Sequence, residues 1–536
     1  MSRTPFLLSE GGVFEEDEFI SPTDSGEGEW PKSQATPSPR DRIWAIAFKI
    51  NVAFTVISAL LFGGTGMKAF ANFEMLGGRS GASGDGGGWL LNLFTGAATV
   101  ALAWVFSWRL LMVLINYSSK ILQVSYLGFT AMLAMVTLLA LATYQIIIAG
   151  VFLVGFVLSI MFYLRSRSRI HFGGANLKVA ALAIKSMPWT VRFAVLMSAL
   201  QVLWAIVTCI AAAGTVVALE TVRAPGGTSY SAVECHNVML SGAILPSCMC
   251  NGDIVSYNNA CPYRGRSLIL TWFWLATLLW GGAVFQNVVA ATVTGSVASW
   301  WYSPRDPKPV QGAFYRAIGP SFGSLCKAAA ITSAIQLLRR FIRHLRRFSR
   351  VGRWIKMFLR WINMFLGWVQ AAVDYALSYT ICFIGIYGLT FSEASNRVSQ
   401  LFLSHGVTTI ANDTVVDFGL TLFALAAAVV YMMAASLVYV VSSYASRLAS
   451  WDTGGLVSAT YPTTFGFLAC VLVISTTLEV VRSGFKAVFV CFVQDPDFLA
   501  SNHDRQLHDE LSSAWKAMHL ECRKKPAATL QEVEQV

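Results

Sequence analysis

Charged side chains are scarce in this chain: Asp, Glu, Lys and Arg make up 13% of its 536 residues, against about 25% in a soluble globular protein. Hydrophobic residues reach 55%, more than a water-facing surface can absorb, and this excludes a soluble fold. Acidic residues are the rarer charge, 29 against 40 basic, for a formal net charge of +11. In a soluble protein that balance would point to nucleic acid. No nucleic-acid-binding motif is present, however, and the basic residues cluster beside apolar runs, the pattern of cytoplasmic loops facing anionic lipid. Catalytic signatures are also missing. There is no Gly-rich phosphate loop with its Lys, no H-E-x-x-H and no nucleophile elbow. An enzyme, and pumping driven by nucleotide hydrolysis, are therefore not expected, nor is any cofactor. No apolar leader opens the chain. Residues 1–42 are polar, so no cleavable signal is expected and the first span serves as the insertion signal.

What the chain has in abundance is long apolar runs. Ten can be traced: Ile43–Phe62, Trp89–Ile115, Leu122–Ala142, Ile146–Leu164, Trp189–Leu219, Leu268–Trp301, Ala317–Leu338, Trp368–Phe391, Phe418–Val441 and Tyr461–Val490. A helix of about 20 apolar residues crosses a hydrocarbon core of ~30 Å. The expected fold is thus an all-α polytopic membrane protein of about ten transmembrane helices, occupying 43–494. Before it comes an acidic tail, 1–42, with Glu15, Glu16, Asp17 and Glu18 in a row and Ser/Thr-Pro pairs at Thr4, Ser21, Thr36 and Ser38. Such a tail buries too little apolar surface to fold alone and is expected to be disordered. A polar C-terminal tail, 495–536, follows the last span.

Orientation follows from the basic residues. Arg165, Arg167, Arg169, Lys178 and Lys185 lie between spans four and five, and Arg305, Lys308 and Arg316 between six and seven. Both loops should be cytoplasmic, which puts both termini inside and the 65–88 and 220–266 loops outside. One segment resists this scheme. Arg339, Arg340, Arg343, Arg346, Arg347, Arg350, Arg353, Lys356 and Arg360 fall where alternation predicts the outside. Their apolar neighbours recur at helical spacing, so 338–366 reads as an amphipathic helix in the interface plane, with 339–360 addressing an anionic leaflet.

Four of the ten cysteines, Cys235, Cys248, Cys250 and Cys261, share the long outer loop. An oxidising outside predicts two disulfides there, Cys235 and Cys261 each joining one of the other two. A zinc site including His236 is the alternative; otherwise no metal is expected.

Ionisable residues within apolar runs are candidates for function, because each is costly to insert. Asp374 lies beside Tyr375, with Ser378 and Tyr379 a turn on, a face that suits a cation through charge and ring attraction. Gln286 and Asn287 are deep amides in span six, and Gly323 and Ser324 allow close helix approach or a broken span seven. In span ten, Glu479 and Arg482 are spaced to pair, with Lys486 one turn further.

Three stretches carry a resemblance. They are Val293-Thr-Gly-Ser-Val-Ala-Ser-Trp-Trp-Tyr302, Ser321-Phe-Gly-Ser-Leu-Cys326 followed by Ile335-Gln-Leu-Leu-Arg-Arg340, and Phe489-Val-Cys-Phe-Val-Gln-Asp-Pro496. In order and spacing they resemble the choline transporter-like family, in particular its fungal branch. That resemblance implies ten spans, cytoplasmic termini and transport of choline or a related small polar solute across a cell membrane. A non-transporting scaffold or lipid-organising protein is the alternative. Departures occur at Lys327-Ala-Ala, where the family repeats Gly-Ser, at Lys486, where it often has an acid, and at Gln494, where it has Glu. The two lysines add positive charge, and the expectation is a shift from quaternary ammonium towards zwitterionic or anionic solutes.

Asn412-Asp-Thr414 is a glycosylation sequon between spans eight and nine, on the cytoplasmic side under regular alternation. It should stay unmodified in a eukaryotic host, as read by glycosidase-shift electrophoresis. A glycan there would overturn the ten-crossing arrangement.

Overall fold

The computed structural model describes residues 41–77, 88–223, 229–231, 235–240, 243–250, 253–256, 264–348, 353–448 and 460–517. In hydrocarbon every backbone N–H and C=O must be satisfied within its own segment, so the apolar runs form helices. The first six are α1 (Arg42–Gly77), α2 (Gly88–Asn116), α3 (Ser118–Ala142), α4 (Ile146–Arg165), α5 (Arg167–Ser186) and α6 (Pro188–Glu220). Five short strands follow in the 220–266 loop: β1 (Thr221–Arg223), β2 (Ser229–Ser231), β3 (Cys235–Leu240), β4 (Ala243–Cys250) and β5 (Asp253–Ser256). They make an antiparallel β1–β2 pair and a β3–β4–β5 meander. The remaining helices are α7 (Arg264–Tyr302), α8 (Pro309–Ile318), α9 (Phe322–Phe348), α10 (Arg353–Tyr387), α11 (Phe391–Leu448), α12 (Thr460–Gln494) and α13 (Asp497–Asn502).

Eight of the ten apolar segments each fall within one long helix, while Ala317–Leu338 crosses the bend from α8 to α9 and Trp368–Phe391 runs from α10 across Gly388 to the first residue of α11; the protein is an all-α polytopic membrane protein. Among the described residues seven helical stretches are long and apolar enough to cross a bilayer, eight if α8 and α9 are counted as one span bent by 69°. Turns account for the breaks. Tyr144 takes φ 57° between α3 and α4, closing a tight antiparallel hairpin, and Gly388 takes φ 64° between α10 and α11. Pro309 stands in the first turn of α8, where its missing N–H costs nothing.

Three features differ from the sequence expectation. The basic stretch 338–366 is not one interfacial helix but is divided between the end of α9 and the start of α10. A polar contact joins these two helices. Arg339 Nη1 donates to Gln370 Oε1 at 2.6 Å, while Trp354, Trp361 and Trp368 point away from α9, 80%, 61% and 76% exposed. Trp272, near the start of α7, meets the rings of Phe341 and His344 edge-on at 5.4 and 5.5 Å. The basic end of α9 thus stands beside the start of α7, at the end of the bundle where the 220–266 loop joins. Secondly, residues 391–417, expected as a loop, are helical and continuous with span nine. Thirdly, 167–186, expected as a basic loop, is the helix α5, with Ile170, Phe172, Leu177 and Ile184 buried. The disulfide expectation rests on Cys235, Cys248, Cys250 and Cys261, whose side chains lie outside those described, as does the zinc alternative. The strand register sets Cys235 opposite Cys248.

Glycine sets the close crossing of α7 and α10. A Cβ on Gly385 of α10 would collide with Thr294 Oγ1 and the Ala291 backbone of α7, and one on Gly295 would come within 2.7 Å of the Gly385 carbonyl. Adding bulk to a packed interior costs about 1–3 kcal/mol. Gly385→Val should therefore lower the thermal midpoint of the purified protein by several degrees. Gly150→Val, where nothing lies within 4 Å of a Cβ, should leave it unchanged.

Candidate functional site

Among the described residues of the helices, three interhelical polar clusters are each centred on one carboxylate. At the starts of α1, α9 and α11, Asp41 Oδ2 accepts from Ser324 Oγ at 2.8 Å and from the Phe391 backbone N–H at 3.4 Å. Asp41 Oδ1 lies 3.6 Å from Lys327 Nζ, which sits 4.8 Å over the Phe391 ring. Asn287 of α7 donates to the Leu325 carbonyl at 3.1 Å. Gln286 is half-buried beside it and Gly323 is buried. Sequence reasoning brought these four helices to one place only in part, because Asp41 was assigned to the tail.

The second cluster lies between α9 and α10. Gln370 Nε2 donates to Asp374 Oδ2 at 3.1 Å and accepts from Arg339, so that a single amide joins carboxylate and guanidinium. Asp374 stands 13 residues before the end of α10, about 20 Å along the helix at 1.5 Å per residue, well inside the bundle. Its expected neighbours turn elsewhere. Tyr375 stacks on Phe402 at 5.3 Å and Tyr379 meets Phe402 edge-on at 5.7 Å. Consecutive helical positions are about 100° apart, so Asp374 faces α9 and Tyr375 faces α11.

The third cluster joins α10, α11 and α12. Lys486 Nζ donates to Ser378 Oγ at 2.8 Å, lies 3.7 Å from Asp417 Oδ2 and 5.7 Å from the Tyr379 ring centroid. Arg482 Nε lies 3.3 Å from Asp417 Oδ1, and its Nη2 donates to Thr421 Oγ1. The expected Glu479–Arg482 pair is replaced. Arg482 turns across to α11, and Glu479 accepts from Ser483 on its own helix at 3.3 Å. Asp417 was missed because it sits one residue outside the apolar run 418–441; its i+4 relation to Thr421 was the available signal. The two lysines thus have acids of their own, Asp41 and Asp417, rather than Asp374 or Glu479.

Below these clusters, two of the sequence motifs touch. Trp301 Nε1 donates to the Asp495 carbonyl at 3.3 Å and the Tyr302 hydroxyl to Asp495 Oδ2 at 3.2 Å. Tyr387 hydrogen-bonds Gln494. Burial pushes the Asp495 carboxyl above the usual range, with the Tyr302 hydroxyl opposing it. His503 stacks on Trp300, centroids 3.8 Å apart, and bonds its carbonyl through Nε2 at 2.8 Å. Burial lowers its pKa and that bond offsets part of the shift. The C-terminal segment then closes on α5 through Lys178 and Glu510, 2.6 Å apart, and through Trp515 against Phe172 and Phe489.

Long apolar helices around a few paired charges define a polytopic membrane protein. The comparison with known families is more specific: a family described as plasma-membrane choline transporter matches residues 150–497, and the chain belongs to that family. It is 24% identical to a CTL-like protein of Dictyostelium discoideum over 492 residues, 90% of this chain and 76% of that one. It is 23% identical to the protein PNS1 of Eremothecium gossypii over 374 residues, 68% of this chain and 62% of the relative. With the PNS1 of Neurospora crassa the identity is 29% over 237 residues, 43% of this chain and 41% of that one. The matched region spans less than two thirds of these two fungal relatives.

Removing Asp417 leaves two cations of α12 facing each other. Its side chain is 35% accessible, so water softens the loss below the 3–5 kcal/mol typical of a fully buried pair, to about 1–3 kcal/mol. Asp417→Asn should lower the thermal midpoint, and adding Lys486→Met should restore part of it. Additive losses in this double-mutant cycle would show that the two do not interact.

Proposed function

We propose that this protein is a multi-pass transporter or facilitator moving a small polar solute between α7, α9, α10 and α12, with both termini on the cytoplasmic side. The observation that carries this is the pairing of the two lysines. Unscreened, two unit charges ~6 Å apart at an effective dielectric near 20 would cost a cationic solute about 3 kcal/mol. With Asp41 against Lys327 and Asp417 against Lys486, that objection largely falls away, and choline or a related amine fits again. Asp374, bonded through Gln370 to Arg339, is then the carboxylate within the bundle that a cation would address. A cytoplasmic setting for both termini is supported by one end of the bundle. There Asp41, Lys178, the 305–316 segment and residues 495–517 gather, with the arginines that flank α4 and α5.

The test is uptake into proteoliposomes of labelled choline, ethanolamine and a zwitterionic betaine, for wild type, Asp374→Asn and Lys486→Ala. Accumulation of choline or ethanolamine that falls at least tenfold in Asp374→Asn is the expected result. Uptake of the betaine alone, rising with neither variant, would shift the solute class. Rates equal to empty vesicles for every solute would favour the scaffold.

A further inference from the structure

Asp41 is more than the first residue of a helix. It takes φ 51°, a conformation Asp tolerates where most side chains do not, and this turns the carboxylate back over the bundle. Its two oxygens meet two helix starts, Ser324 and Lys327 in the first turns of α9 and the first N–H of α11. Helix N-termini present unpaired N–H groups and the positive end of the dipole, so a carboxylate there is held by both. Each of these helices starts at a break in the chain: α9 after the 69° bend from α8, α11 after Gly388 at φ 64°. The carboxylate thus bridges two helix starts that each follow a bend in the chain.

Directly behind this carboxylate lies a layer of rings from four helices. Phe48 of α1 packs against Trp204 of α6 at 6.4 Å, Trp280 of α7 at 5.5 Å and Phe322 of α9 at 5.9 Å. Trp280 Nε1 donates to the Cys326 carbonyl at 3.2 Å, which fixes the start of α9 to α7. The rings fill the space between the helices, and the polar clamp keeps the helices together around them.

We propose that Asp41 is the latch of a gate at this end of the bundle: its contacts with Ser324, Lys327 and the start of α11 hold the Phe48–Trp280–Phe322 layer shut. Releasing the carboxylate frees α1 from α9 and α11 and lets the ring layer part. Lys327 and Asp41 are 29% and 22% accessible, whereas Phe48 and Trp204 in the layer behind them are buried. The inference concerns motion at one end of the bundle and does not depend on which solute, if any, crosses.

A native reporter is in place. Cys326 is fully buried, one residue from Lys327, and Cys382 and Cys491 are buried elsewhere. The full-length protein in vesicles is treated with N-ethylmaleimide, and labelling of each cysteine is followed by peptide mass spectrometry. Asp41→Asn and Lys327→Gln should each speed labelling of Cys326 at least fivefold, with Cys382 and Cys491 unchanged. The exchange Asp41→Lys with Lys327→Asp should return Cys326 towards the wild-type rate. Unchanged Cys326 labelling in both single variants would overturn the latch, as would equal acceleration of all three cysteines, which signals general loosening.

Discussion

The structure depends on the pairing of a few carboxylates with more numerous cations at the contacts between helices. Burying one charge alone is expensive, and a broken buried pair leaves its partner unsatisfied. Asp417 of α11 meets two cations of α12, so α11 cannot leave α12 without exposing both. Asp374 ties α10 to α9 through Gln370 and Arg339, and Asp41 ties α1 to α9 and α11. Apolar packing between helices in lipid has little hydrophobic drive, because the tails are as apolar as the side chains. These polar links therefore select which helices are neighbours, and close packing such as that of Gly295 on Gly385 fixes how near they come.

The recurrent motifs acquire a physical meaning from this arrangement. The small residues Thr294 and Gly295 let α7 and α10 touch, and the Trp-Trp-Tyr that ends the same motif receives the chain after α12. Trp301 and Tyr302 bond Asp495, and Trp300 stacks on His503. The motif around Ser321–Cys326 supplies the start of α9, where Ser324 meets Asp41 and the Cys326 and Leu325 carbonyls receive Trp280 and Asn287. Two motifs thus staple chain ends together, and the third anchors the helix that follows a bend.

The long helices were legible because hydrophobic length is nearly sufficient to define them: α4 differs from its apolar run by a single residue at its end. Packing partners were less legible. α5 escaped because its buried residues, Ile170 and Phe172 among them, alternate with basic ones and never form a run long enough to span. Asp417 and Asp41 escaped because they lie just outside apolar runs, one residue before Phe418 and two before Ile43, where neighbouring helices are tied. The candidates Lys327, Lys486 and Asp374 were visible as charges out of place, yet spacing along one helix does not reveal a partner on another. Glu479 and Arg482 show this directly: their i, i+3 spacing favours a pair, and a carboxylate on α11 takes the arginine instead.

The basic ends of α9 and α10 pose the sharpest conflict between local and global rules. The charge rule for loops reads Arg339–Arg360 as cytoplasmic, whereas strict alternation of spans places them with the 220–266 loop. The rule weighs short loops, where cations follow the membrane potential and lipid charge during insertion. Here the described cations lie on helices, those from Arg339 to Arg347 on α9 and those from Arg353 to Arg360 on α10. Arg339 is committed to Gln370 inside a helix pair, and Trp272 packs across Phe341 and His344. On this helix pair Arg339 finds its partner within the protein, while Arg340, Arg343, Lys356 and Arg360 are exposed.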